Sequence, residues 1–301
     1  MKRPAPLALL GVLTVLTAFA PPRPVLPARA AAPCPGDSAA RVRAGVQASR
    51  DPDALDPAEA AAAGARLDRV PAARRVAAAE PVRVPVYFHV IHDGPAGDIT
   101  TATIRRQLAV LNATFGGRTG GADTGFRFTV RGVDRTDNAS WYRRPDGHER
   151  AIKARLHRGD AGTLNLYTAD LGEQLLGWAS FPWRHRDQAA LDGVFVHVDG
   201  LVGGSIEHYN RGYSATHEIG HWLGLFHTFQ DGCAAPGDRV ADTPPEREPG
   251  QGCPAAGRDT CPAPGEDPIH NFMDYSWDTC MTGFTRGQSE RMHVAWITYR
   301  A

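Results

Sequence analysis

Residues 82–92 read Val82-Arg83-Val84-Pro85-Val86-Tyr87-Phe88-His89-Val90-Ile91-His92, a β-branched and aromatic run closed by the turn residues Asp93-Gly94-Pro95. That composition predicts a strand. The period then changes. Ile104, Leu108, Leu111 and Phe115 recur at helical spacing on one face, so an amphipathic helix is expected over 100–115. Alternation returns over 125–133, where Phe126, Phe128 and Val130 alternate with polar residues as in a half-buried strand. A short helix over 149–157 and a strand over 163–168 follow. Residues 193–198 form a short apolar run that suits a buried strand. Gly177-Trp178-Ala179-Ser180-Phe181-Pro182 suits an edge strand, because Pro182 has no N–H to give to a ladder. A last helix is expected from Tyr213 to Leu223. Strands and helices mixed in this order indicate an α+β domain.

Before residue 82 this patterning is absent. Lys2 and Arg3 precede an apolar run over 5–20, too short for a comfortable membrane span, and small residues follow as far as Ala32. Residues 1–32 are therefore expected to be a signal peptide. Residues 33–81 are rich in Ala, Arg, Asp and Pro; 54–75 has good helix formers but few core candidates. A pro-segment or loosely docked N-terminal arm is expected there, and a catalytic domain over 82–301. No later stretch is apolar enough to cross a bilayer. The expected mature protein is secreted, without stable membrane association, and a monomer. Its 33 basic and 33 acidic residues cancel, which removes the electrostatic reason to expect nucleic acid as a partner.

Chemistry concentrates in His217-Glu218-Ile219-Gly220-His221-Trp222-Leu223-Gly224-Leu225-Phe226-His227. His217 and His221 stand four apart, so a helix presents both rings on one face, two corners of a tetrahedral zinc site. Gly224 can take a positive φ and end the helix. The chain can then return His227 as a third ligand, leaving the fourth position to water, as in a catalytic site. Glu218 flanks the first ligand and is placed to act on that water as general base.

This motif, followed by Asn271-Phe272-Met273-Asp274-Tyr275, resembles a metzincin zinc peptidase with its Met-turn. Tyr209-Asn210-Arg211-Gly212, Trp222, Gly237-Asp238, Asp242-Thr243-Pro244, Phe284-Thr285-Arg286-Gly287-Gln288 and Arg291-Met292-His293 are similar to the pappalysin (cytophagalysin) group. The resemblance implies a twisted five-stranded mixed sheet with one antiparallel edge strand and two long helices in an upper sub-domain (about 82–224). It also implies an irregular lower sub-domain (about 225–301) ending in a helix. In activity it implies a zinc-dependent endopeptidase. Met273 would floor the metal without binding it, and Tyr275 would steady the oxyanion. An extended peptide would pair with the edge strand over 177–181. His270 and His293 fall in the family-like stretches and would stand behind the ligands.

Cys233, Cys253, Cys261 and Cys280 form an even set, read as two disulfides in an exported chain. Three pairings exist; the resemblance implies Cys233–Cys261 and Cys253–Cys280. Cys34 is odd and lies in the expected pro-segment, where its thiolate could occupy the open zinc position and hold the enzyme latent. Asp238, Asp242 and Thr243 lie in an acidic stretch suited to calcium. Two other functions share these features: a catalytically silent binding protein on the same fold, and a zinc amidase acting on a non-peptide amide. The intact Glu218 argues against the first.

Overall fold

The computed structural model describes residues 1, 41–43, 55–71 and 81–301. The chain divides into a unit of residues 1–32 and one of residues 33–301, and all that follows concerns the second. The expected signal peptide and Cys34 lie outside the described residues.

Strand β1 (Val82–His92) is the axis of the molecule. It pairs in parallel with β2 (Phe126–Asp137) on one side and β3 (Leu164–Ala169) on the other. β3 pairs in parallel with β5 (Val194–His197), and β4 (Gly177–Ala179) closes the sheet as its one antiparallel strand. The order β2-β1-β3-β5-β4 is the mixed five-stranded sheet expected, with its antiparallel strand at the edge. β2 runs four residues beyond the apolar alternation. Its length follows the β1 register, Val82 opposite Phe126 through His92 opposite Asp137, while its last residues lie at the sheet margin where burial no longer demands apolar side chains.

Helix α2 (Thr101–Thr114) starts on Thr100, whose side chain accepts the Thr103 N–H. Its buried Ile104, Leu108 and Leu111 pack with Val84, Val86, Phe88 and Val90 of β1 in a core that also takes Ile219 and Trp222. The opposite face of the sheet, with Tyr167, Trp178 and Phe195, is covered by Ile152 and Leu156 of helix α4 (Pro145–Leu156), preceded by the short α3 (Ala139–Arg143). α5 (His185–Gln188) is a single turn between β4 and β5. α6 (Tyr213–Trp222) carries the histidine motif.

Beyond α6 the chain is largely irregular until α7 (Arg286–Tyr299), which opens with a capping box between Thr285 and Gln288. Cys233–Cys261 and Cys253–Cys280 are the disulfides formed, and they staple this region.

The N-terminal stretch departs from expectation. Residues 57–68 form helix α1 (Pro57–Asp68), capped by Asp56, and the helix is firmly docked rather than loose. Leu55 and Ala60 pack with Phe181 and Phe226, and Leu67 packs with Val294 and Ala295 of α7. Glu59 pairs with Arg184, and Asp68 with Arg239. Its alanines offer little area each, yet they let the helix approach closely, so a few large residues suffice.

Candidate metal centre and peptide-binding edge

All ten residues of α6 are buried. The helix ends at Leu223, and Gly224 follows with φ 94°. The Gly224 N–H donates to the His221 carbonyl (2.8 Å) and the Leu225 N–H to the Gly220 carbonyl (3.0 Å), a Schellman closure. A side chain at Gly224 would also run into Ala295. The reversed chain then brings His227 against the two helical histidines. Their three Nε2 atoms lie 3.0–3.1 Å apart.

The outer ring nitrogens show what this cluster is for. His217 Nδ1–H donates to the Phe272 carbonyl (2.6 Å) and His221 Nδ1–H to the Leu225 carbonyl (2.8 Å). With the proton on Nδ1, each Nε2 presents a lone pair. Lone pairs converging at this distance repel unless a cation stands between them. A tetrahedral zinc with bonds of about 2.0–2.1 Å would hold its nitrogens about 3.3 Å apart, close to the spacing seen. Burial, with the neighbouring rings adding to it at His217 and His227, pushes both well below the usual imidazole value, and burial lowers His221 to about 4. The neutral rings are the form that binds metal. Among the described residues no other His, Cys, Asp or Glu group converges this way. Met273 packs under α6 at Gly220. Tyr275 lays its ring 4.9 Å from His227 and 5.8 Å from His217.

Glu218 is fully buried and borders β4, where Gly177 is required because any β-carbon would strike the glutamate side chain. Its Oε1 accepts the backbone N–H of Arg41 at 3.0 Å. Arg41 to Arg43 then run antiparallel to residues 174–176, just before β4. The Leu176 N–H donates to the Arg41 carbonyl (2.8 Å), Val42 lies opposite Leu175, and the Arg43 N–H donates to the Gln174 carbonyl (3.1 Å). The Arg41 side chain is wholly buried. Its guanidinium pairs with Asp278 at 3.0 Å and donates to the Ser276 carbonyl (3.0 Å) and Ser214 Oγ (3.3 Å), with Tyr209 beside it. The site thus joins a metal-binding cluster, a buried carboxylate and an arginine pocket.

Residues 177–296 match the family model described as pregnancy-associated plasma protein-A. An extracellular metalloprotease of Neurospora crassa is 45% identical over 73% of this chain and 76% of its own length. One from Podospora anserina is 38% identical over 98% of this chain and 97% of its own length. The chain belongs to the pappalysin family. Mature mirolysin of Tannerella forsythia in complex with a cleaved peptide superposes with a TM-score of 0.64 at 30% identity, covering 71% of this chain and 90% of that one. A promirolysin mutant gives 0.66 at 26%, covering 79% and 92%. This pappalysin is an extracellular metalloendopeptidase with the metzincin fold.

The other expected site residues divide. Asp238 and Thr243 meet: Thr243 Oγ1 donates to Asp238 Oδ2 (2.7 Å), and burial pushes the Asp238 carboxyl up to about 7. Asp242 does not join them. It is turned to the start of α7, where it accepts from Thr285 Oγ1 (2.7 Å) and the Gly287 N–H (2.9 Å). His293 Nε2–H donates to the Thr124 carbonyl (2.7 Å) and His270 Nδ1–H to the Cys280 carbonyl (2.6 Å). Among the described residues the backbone pairing of this segment lies at 174–176. Sequence reasoning gave no role to Arg41, Asp278, Ser214 or Tyr209. Asp278 closely follows Tyr275, but a single carboxylate in a loop has no spacing signature, and its partner lies near the other end of the chain.

Proposed function

We propose that this pappalysin is a zinc-dependent endopeptidase that cleaves on the amino side of arginine. The observation that carries this is Arg41, with its amide nitrogen on Glu218 and its guanidinium on Asp278. His217, His221 and His227 would hold the zinc, which when bound polarises a peptide carbonyl and lowers the pKa of water towards about 7. Glu218 then acts as general base, taking a proton from the attacking water and handing it to the leaving nitrogen. Its distance from a backbone N–H supports that second role. Residues 174–176 hold the substrate backbone by main-chain hydrogen bonds, which tolerate many sequences. Asp278 supplies selectivity, because a buried carboxylate favours a cationic partner and penalises an apolar one. Tyr275, against two of the histidines, would steady negative charge growing on the carbonyl oxygen. Mirolysin with a cleaved peptide supports the cleft as a peptide site. Calcium remains part of the proposal at Asp238 and Thr243, without Asp242, since a cation would relieve the cost of that buried carboxylate.

The test is casein hydrolysis with 1,10-phenanthroline and zinc restoration, reading the sequences of the new amino termini. Chelator-sensitive cleavage with arginine at those termini is expected. Glu218→Ala should keep its fold and zinc while losing about 10²–10⁴-fold in rate, the contribution of a general base. Casein bound but uncut by the wild type would favour the silent binding protein instead.

A further inference from the structure

β4 is a short strand at the end of the sheet, with β5 as its neighbour. Resting on the reading of 174–176 as a substrate-binding edge, we propose that Glu149 and Lys153 are positioning residues. From behind the sheet they hold β4 where it can pair with the part of a peptide upstream of the cut.

Successive side chains of a strand point to opposite faces. Gly177 and Ala179 face α6: a β-carbon at Gly177 would strike Glu218, and Ala179 packs in the core that contains Ile219. Trp178, and Ser180 just after the strand, turn the other way, towards α4. There Glu149 and Lys153 stand one helical turn apart, with Lys153 Nζ 2.6 Å from Glu149 Oε1. The same Glu149 oxygen accepts the Trp178 Nε1–H (3.1 Å), and Lys153 Nζ donates to Ser180 Oγ (3.1 Å). Ser180 Oγ donates in turn to the Leu191 carbonyl (2.8 Å), shortly before β5. One ion pair thus grips both rear-facing residues of the edge.

The choice of cation fits this place. Lys2 and Lys153 are the lysines of a chain with 33 basic residues, and the Lys153 side chain is wholly buried. An ammonium is compact and donates in three directions, whereas a planar guanidinium would need a wider slot. Nζ also lies 5.7 Å from the centre of the Phe195 ring, which stacks on Trp178 at 4.6 Å. A buried ion pair adds little stability over apolar packing of the same shape. It fixes geometry instead, because either charge left without its partner is strongly disfavoured.

That rigidity bears on catalysis. Residues 174–176 already pair with an extended chain, and the same line continued past Glu218 runs along β4. A drift of β4 would detune the upstream hydrogen bonds while 174–176 and Asp278 still held the downstream side. Misplacement by about 1 Å can lower a rate on the order of a hundredfold.

The test uses two peptides built round a bond that the wild type cuts in casein. They share every residue after the cut, but one carries several residues ahead of it and the other a single blocked residue. Two variants are compared with wild type: Ser180→Ala, which keeps the ion pair, and the double variant Glu149→Gln with Lys153→Met, which leaves no charge alone. Zinc content and urea midpoint are read alongside. Wild type should prefer the long peptide in kcat/KM. Both variants should keep zinc and lose about tenfold of that preference, the contribution of one or two hydrogen bonds. Equal losses on both peptides would reduce the pair to a support of the fold and overturn the proposal. Variants that retain the wild-type preference would overturn it too, while leaving the edge reading standing. If the double variant does not fold, Ser180→Ala decides alone. A wild type that cuts both peptides equally well would overturn the edge reading and the proposal together.

Discussion

Under the proposed specificity, Asp278 would convert a general peptide cleft into a selective one. Its Oδ2 accepts the Arg211 N–H at 2.9 Å, which holds the carboxylate in place, and its Oδ1 meets the guanidinium. Both side chains are fully buried, so the pair is hardly screened by solvent. Asp278→Ala should therefore lower kcat/KM for peptides with arginine after the cut by about 10²-fold, the order seen when one partner of a desolvated pair is removed. Matched peptides with leucine there should change little. Equal losses for both peptides would show that Asp278 supports the fold rather than the choice of substrate.

At the scale of elements, α6 is held at both ends by different means. Gly224 and the Schellman closure end it, while Arg300, just past α7, pins its last residue. Arg300 donates to the Trp222 carbonyl (2.9 Å), stacks its guanidinium 3.6 Å over the Trp222 ring, and pairs with Asp192 through both nitrogens. Burial alone would raise the Asp192 carboxyl, but the Arg300 charge together with hydrogen bonds from His185, Arg300 and Trp222 outweighs it and holds the group well below the ordinary carboxylate range. The pair thus ties the start of β5, the end of the metal helix and α7 to one point. Arg300→Ala leaves a buried carboxylate without its cation and should cost about 3–5 kcal/mol, read as a lower urea midpoint. An unchanged midpoint would deny the cross-link its role.

For the molecule as a whole, the histidine cluster couples metal, folding and pH. In the unfolded chain these rings bind protons near the usual 6.5; in the folded chain they bind them more weakly, His221 only near about 4. As pH falls from about 6.5 towards 4 the unfolded state takes up protons that the native state refuses, so stability drops across that window. Above pH 6.5 both states carry neutral rings and this contribution to the pH dependence disappears. Metal-stripped protein should show a falling Tm between pH 6.5 and 4. The zinc-loaded form should hold its Tm further down and then lose metal and fold together. A flat Tm in the stripped protein over that range would mean that the rings are not buried as seen.

The sequence by itself determined whatever depends on near neighbours. Helical spacing placed His217 and His221 on one face, Gly224 licensed the turn to His227, and period-two and period-3.6 runs located the sheet and α2. The same rules left α1 undervalued, because they count large apolar residues and its alanines act by close approach. Only the tertiary structure decided which distant groups meet. Asp278 gained a meaning when the fold set it against Arg41, Asp242 lost its place beside Asp238 by capping α7, and Arg300 reached Trp222 across the packed core. Local pattern is fixed by the steric period of the backbone, whereas a buried charge has no period and is specified only by the partner that folding brings to it.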